Sequence, residues 1–403
     1  MKDRVARRAK QRLLATALAV LVASPWVSCG SNKSGGGGGT GGGSPPGTGG
    51  GTTATGGATG SGGTTGTGGA RPTGGVSAEG GTTATGGVTT APGGATGTGG
   101  GSGATRIGGA CLAGASYAAP VLTGTPERIA QDTSSSANNG TYEGPVWLAA
   151  SSVLLLSDVT FAAPVNPAQM LELTPPDTIA TYLADSGTNG MAVDGSGVVY
   201  ACSHRVQGIV KLDTGSATLT TLVSTYDGKH FNSPNDIVIR SDGTTYFTDP
   251  DYQLGDRTSE TGKKGVYRLS PSGTVSLVDG TFNEPNGITL SPDETTLYVA
   301  DYASNAVRTF AIATDGSTSG RKEFTSVRSP DGFGMDCLGN LYIASGSPGT
   351  VEVYSPSATK LGSVTVAAST SNLAFGGTDG KTLYITAGKA LYSLDMNLPG
   401  YDY

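Results

Sequence analysis

Residues 235–249 read NDIVIRSDGTTYFTD, and that phrase holds a complete β-hairpin. Ile237-Val238-Ile239 is a short apolar strand, Ser241-Asp242-Gly243 is a turn cluster, and Thr245-Tyr246-Phe247-Thr248 returns with residues that favour extended backbone. The same grammar recurs in EGPVW from Glu143, NGMAVDGSGVVYAC from Asn189, NGITLSPDETTLYVAD from Asn286, DGFGMDCLGNLYIAS from Asp331 and NLAFGGTDGKTLYITA from Asn372. Successive starts are 46, 46, 51, 45 and 41 residues apart, a period that marks an array or ring of like units. Two further strand patterns, Gly265 to Leu269 and Thr274 to Val278, complete the unit that begins at Asn235. Four antiparallel strands in such a span make one propeller blade.

The last unit supplies only three strands, at Leu373 to Phe375, Thr382 to Thr386 and Ala390 to Leu394. Glu127-Arg128-Ile129-Ala130, upstream of the first unit, is the strand expected to complete it and so protect both open edges. The expected fold is all-β, a six-bladed β-propeller of four-stranded antiparallel blades over 111–403. No stretch shows a convincing 3.6-residue period.

The first 110 residues are of another kind. Lys2, Arg4, Arg7, Arg8, Lys10 and Arg12 precede an apolar run from Leu13 to Ala23, too short for a permanent membrane span and typical of an export signal. Trp26-Val27-Ser28-Cys29 resembles a lipobox, which makes 1–29 a lipoprotein-type signal peptide with Cys29 as the lipidated residue; ordinary cleavage to a soluble product is the alternative. Residues 30–110 are almost wholly Gly, Thr, Ser and Ala. They bury too little apolar surface to offset the entropy of ordering, and are expected to form a disordered tether. Some 80 residues of Gly-rich coil span roughly 50 Å. The expected location is the cell envelope, exported and held at the membrane only through a lipid.

The formal net charge of −6 includes the basic leader, so the remainder is more acidic still and a nucleic-acid partner is not expected. Beyond Cys29 only Cys111, Cys202 and Cys337 remain, an odd number. Cys202 and Cys337 are expected to be small buried thiols rather than a disulfide. No CxxC, HExxH or related spacing points to zinc held by sulfur or imidazole.

If the ring closes, Glu143, Asn189, Asn235, Asn286, Asp331 and Asn372 meet near its axis. Carboxylates and amides without neighbouring His or Cys suit a hard cation such as calcium. In three units an acid follows 14 or 15 residues later, Asp158, Asp249 and Asp301, and strand-turn-strand returns it to the same end. Those acids are candidates to support the cation or move protons, against the ordinary turn role of Asp.

At these residues the sequence resembles the senescence-marker-protein/gluconolactonase family of six-bladed propellers, to which regucalcin-like proteins belong. The matching phrases are Glu143-Gly144-Pro145-Val146-Trp147, Asn232-Ser233-Pro234-Asn235-Asp236, Tyr246-Phe247-Thr248-Asp249-Pro250, Pro285-Asn286-Gly287, Tyr298-Val299-Ala300-Asp301 and Pro330-Asp331-Gly332. The resemblance implies one divalent cation at the channel mouth, held by Glu143, Asn286 and Asp331, with Asn235 touching the metal, its water or the substrate. Calcium is expected on ligand chemistry, with zinc, magnesium or manganese as alternatives.

The expected activity is metal-dependent hydrolysis of a lactone or related ester, the cation polarising the carbonyl and Asp331 or Asp249 accepting the proton. Asn189, Asn235, His204 and Asp301 are the expected substrate contacts. Ser233 stands where some members of the family place a substrate-binding Arg. A non-catalytic propeller that binds a sugar or a protein through its channel cation is the other reading. Asymmetry separates the two, because a scaffold has no need of Glu in the first unit and Asp in the fifth.

Overall fold

The computed structural model describes residues 106–108, 110–132, 140–161, 167–367 and 369–401. The expected export signal, Cys29 and most of the tether lie outside the described residues. The rest forms six four-stranded antiparallel blades, with no helix among the described residues. The innermost strands of blades 1 to 6 are Gly140–Leu148, Thr188–Val193, Ile237–Ile239, Pro285–Leu290, Pro330–Met335 and Thr370–Gly376. Each carries or closely follows one of the six repeated positions, and each lies against the inner strands of its neighbours.

Burial falls from axis to rim. The second strand of blade 1, Val153–Thr160, is buried along almost its whole length because a blade is covered on both faces. The outer strands Thr178–Leu183 and Thr218–Val223 are mostly exposed. Six apolar clusters fill the six gaps between blades. Leu155 and Met170 meet Met191 and Val199 between blades 1 and 2, and Tyr342 and Val351 meet Leu373 and Leu383 between blades 5 and 6. The sixth cluster sets Tyr384 and Leu391 of blade 6 against Trp147 and Leu154 of blade 1, so the ring is closed.

Closure is also made through hydrogen bonds. Glu127–Gln131 pairs antiparallel with Ala390–Asp395, from Ala390 opposite Gln131 to Ser393 opposite Glu127, and is the fourth strand of blade 6. An unpaired strand edge would otherwise remain there.

One expectation about cysteine is overturned. Cys337 is not a thiol but is bonded to Cys111, with Cα atoms 5.5 Å apart across 226 residues of sequence, while Cys202 is free and buried. The pairing follows from ring closure, which brings the two ends of the domain together. Asn397 accepts from Val121 N at 2.8 Å and donates to Ala119 O at 3.0 Å, and Cys337 N donates to Pro399 O at 3.1 Å. Cys337 lies in the blade 5 hairpin, at the end of the ring remote from Asp331. Replacing both cysteines by Ser is expected to cost about 2–4 kcal/mol, read as a lower urea midpoint with a steeper slope, because the unfolded chain loses a constraint and exposes more surface.

Candidate functional site

The six repeated positions stand where inner strands enter the ring, and neighbouring entrances touch. A Cβ at Gly144 would collide with the Asn189 carbonyl, one at Gly190 with Asp236, one at Gly287 with the Asp331 carbonyl and one at Gly332 with the Asn372 side chain. Ile288 N donates to Asp236 Oδ2 at 3.2 Å, and Asn372 Nδ2 donates to Glu143 Oε2 at 3.4 Å. These contacts run once around the axis and return to their start. Glycine follows Glu143, Asn189, Asn286 and Asp331 in sequence, where backbones of adjacent blades approach too closely for a side chain.

Hydroxyls fix the entrances from one blade to the next. Ser157 Oγ donates to Asn189 O at 2.7 Å, Thr248 Oγ1 to Asn286 O at 2.8 Å, and Ser371 Oγ to Tyr142 O at 2.7 Å. Each comes from a polar residue otherwise misplaced in a buried segment, and each finds its partner across a blade interface.

A cavity of about 600 Å³ opens at this end of the axis, lined by Glu143, Asn189, Asn235, Asn286 and Asp331. Tyr252, Gln253 and Tyr302 form another part of its wall. Asn372 instead joins Asp236 in a narrower cavity of about 130 Å³, which Tyr401 also lines. Five of the six repeated side chains therefore share one cavity, and the sixth braces Glu143 from beside it.

The electrostatics are those of acids gathered without countercharge. Burial, then the charge of Asp236, pushes the Glu143 carboxyl up to about 8, against hydrogen bonds from Asn372 and the Gly144 amide. Asp236 is pushed up to about 7 by burial, although the Ile237 and Ile288 amides donate to it. Asp331 is held well above the usual carboxylate range by burial, then by Glu143 and Asp236. Its Oδ1 is buried with no hydrogen-bond partner among the described residues. Among the described residues no Lys, Arg or His lines the cavity.

Such a donor set fits a divalent cation. Among the described residues no three His, Cys, Asp or Glu side chains make a metal cluster; here two carboxylates are supplemented by the amide oxygens of Asn235 and Asn286. Oxygen donors of mixed charge suit calcium or magnesium better than zinc, and a cation there would satisfy the orphaned Asp331 Oδ1.

Other expected site residues lie elsewhere. Asp249 is fully buried outside the cavity lining, and accepts from Asn232 N at 2.9 Å and Ser233 N at 2.8 Å. Burial pushes it up to about 8, against those two amides. One blade on, Asp301 accepts from Glu284 N at 3.1 Å and Asn283 N at 3.4 Å. Both acids sit at the end of a second strand and clamp the loop that leads into their own inner strand. Asp158 forms a buried ion pair with Lys389 and accepts from Gln169 Nε2 at 2.9 Å. His204 is buried off the cavity, its amide donating to Gly187 O at 3.1 Å. Ser233 donates to Pro250 O at 2.8 Å and does not line the cavity either.

Sequence reasoning missed Asp236, Tyr252, Gln253 and Tyr302. Asp236 carried a signal, as an acid in a position where four other repeats have Gly or an apolar residue and one has the Gly of EGPVW. Tyr252 and Gln253 carried none, since they come from an irregular connection without a repeat partner, whereas Tyr302 begins the turn after a second strand, the position held by His204, Gly346 and Gly388 in other blades.

With the geometry in hand, relatives are informative. Residues 141–389 match the model of the SMP-30/Gluconolactonase/LRE-like region. A gluconolactonase of Zymomonas mobilis is 32% identical over 278 residues, 61% of this chain and 75% of that protein. The pentonolactonase XacC of Haloferax volcanii is 30% identical over 138 residues, 33% of this chain and 47% of that protein. The solved gluconolactonase of Xanthomonas campestris superposes with a TM-score of 0.57 at 29% identity, over 68% of this chain and 97% of the other. The length of the match, the closed six-bladed ring and the acids at its mouth agree: this chain belongs to the SMP-30/gluconolactonase/LRE-like family.

Proposed function

We propose that this protein is a divalent-cation-dependent hydrolase of neutral lactones. The lactonase relatives support lactone hydrolysis, and the observation that carries the cation requirement is the pair Glu143 and Asp331. Glu143 is buried and Asp331 half-buried at one cavity, with the charge of Asp236 acting on both and with no cationic side chain among the described residues of the wall. Glu143, Asn235, Asn286 and Asp331 would hold the ion. When bound, a divalent cation supplies Lewis acidity toward an ester carbonyl and the positive charge that keeps Glu143 and Asp331 ionised.

The side chains divide the remaining work. Asp331, holding the ion through one carboxylate oxygen, takes with the other the proton of the water that adds to the lactone carbonyl. The ring C–O bond then breaks, that proton passes to the departing ring oxygen, and a hydroxy acid results. The amides of Asn189 and Asn235 donate to substrate oxygens, while Tyr252 and Tyr302 wall the site and limit water. Asp249, in its clamp, keeps the loop bearing Asn235 in place rather than moving protons.

Absence of cationic side chains also bears on substrate charge. The intervening stretches outside the described residues, 133–139, 162–166 and 368, contain no Lys, Arg or His either. A lactone carrying a carboxylate or phosphate brings a second anion beside Glu143 and Asp331. The test is hydrolysis of δ-gluconolactone and of 6-phosphogluconolactone by the full chain, with calcium and with chelator. Turnover of the neutral lactone, lost with chelator, and kcat/KM about tenfold or more lower for the phosphorylated one are expected. Turnover that ignores chelator, or equal use of both substrates, would overturn the respective part.

Export and lipid attachment at Cys29 belong to the same proposal, supported by the basic and apolar leader and the WVSC phrase. Incorporation of labelled palmitate into the protein, abolished in Cys29→Ala, is the expected result.

A further inference from the structure

The loop from Pro250 to Arg257 follows Asp249 and forms one wall of the cavity. Ser233 Oγ accepts from Gln253 N at 3.2 Å while donating to Pro250 O at 2.8 Å. Arg257 Nη2 donates to Gln253 O at 2.8 Å and its Nε to Leu254 O at 2.9 Å. Both main-chain polar atoms of Gln253 are therefore held, and the residue does not share the freedom of an ordinary loop. The preceding Tyr252 hydroxyl accepts from Asn286 Nδ2 at 3.5 Å, which ties the same loop to a residue of the cation set.

Gln253 lines the cavity and is only 3% exposed, yet its Oε1 has no hydrogen-bond partner among the described residues. A buried amide oxygen without a donor is costly, and Met would fill the same space without that cost. A polar group retained under those conditions implies a donor that arrives with the ligand. None of the hydroxyls that line the cavity, Tyr252 and Tyr302 among them, donates to this oxygen; a sugar-derived lactone brings hydroxyl donors on its ring and an unsubstituted lactone does not.

We infer that Gln253 is a specificity-determining residue of this site, its Oε1 accepting a hydrogen bond from a ring hydroxyl of the substrate; the inference rests on the lactonase reading above. A site built to bond a substrate hydroxyl discriminates against the analogue lacking it, because the protein group is then left unpaired. Gln253→Met removes the acceptor at similar volume, and Gln253→Glu restores an acceptor at the same reach.

The experiment measures kcat/KM for δ-gluconolactone and δ-valerolactone in the parent, Gln253→Met and Gln253→Glu, with calcium present. Expected for Gln253→Met is a loss of about tenfold on δ-gluconolactone, with δ-valerolactone within about twofold of the parent, which also shows the variant to be folded. Gln253→Glu keeps the preference for the hydroxylated ring. Parallel loss on both lactones, or no change on δ-gluconolactone, overturns the assignment. A parent that hydrolyses neither lactone overturns the lactonase reading, and this inference with it.

Discussion

Asp331→Asn is expected to lower kcat/KM for a neutral lactone by at least about 10³-fold, and Glu143→Gln by a similar factor, while both variants stay folded. The substitutions are close in shape, so the packing of the mouth is preserved. What each removes is one of the two carboxylate charges that line the cavity among the described residues, and in Asp331 also a buried oxygen without a hydrogen-bond partner there. A second reading separates function from structure. Since burial and like charge hold both acids above their ordinary range, neutralising either relieves repulsion in the metal-free protein. Each variant should therefore match or exceed the parent in thermal stability under chelator, and lose the stabilisation that calcium gives the parent. Variants that melt early without metal, or that are still stabilised by calcium as the parent is, would contradict this.

The stability of the metal-free protein is expected to fall as pH rises from about 5 to about 8, the reverse of the trend set by salt-bridged carboxylates. The sign follows from the direction of the shifts. Glu143 and Asp249 are raised to about 8 and Asp236 to about 7, so in this window the folded protein holds protons that the unfolded chain has released. Stability is fully present below the ordinary carboxylate range, declines up to the folded values, and levels off above them. Summed over the acids the change is on the order of several kcal/mol. Acids with lowered values, Asp194 and Asp213 among them, act in the opposite direction but only in the acid range. If calcium is held at the mouth it competes with protons on Glu143 and Asp331, so saturating ion should flatten their part of the slope and leave that of Asp249. Denaturant melts at pH 5, 6, 7 and 8, with chelator and with calcium, measure both effects, and a metal-free protein more stable at pH 8 than at pH 5 would contradict the sign.

Much of this architecture was legible because propeller repeats write themselves in order. The turn clusters after Val193, Ile239 and Leu290 fixed the hairpins, the missing strand of the last unit pointed to Glu127–Gln131, and equivalent starts had to converge once the ring closed. Convergence placed five of the six repeated oxygens in one cavity without any knowledge of loop conformation. Features that depend on ring closure rather than on the repeat were not legible. The Cys111–Cys337 bridge joins an N-terminal lead to a blade 5 hairpin that only the folded ring brings near. Asp249 and Asp301 were placed at the right end of their blades, yet their carboxylates turn toward the backbone of their own loops, a choice decided by two amide donors that sequence does not display. Tyr252 and Gln253 reach the cavity through a tightly bonded irregular loop, and irregular loops carry no period to read.

The Asp249 and Asp301 clamps also explain why acids recur where no catalysis is needed. Each inner strand is preceded by a loop whose amides would otherwise be buried unpaired, and a carboxylate at the end of the second strand satisfies two of them at once. In blades 2 and 5 the partners are reversed, with Ser203 Oγ donating to Gly187 O and Ser345 Oγ to Arg328 O. Common geometry with interchangeable chemistry is the signature of support, whereas Glu143 and Asp331 stand at repeated positions that other blades fill with Asn.

The most direct test is a crystal of the protein grown or soaked with calcium and measured for anomalous scattering. A single peak is predicted in the mouth cavity, with oxygens of Glu143, Asn286 and Asp331 at about 2.3–2.6 Å and Asn235 alongside. A fully loaded crystal with no peak between those side chains, or with its ion bound elsewhere, would contradict the claim that this ring of oxygens exists to hold one cation.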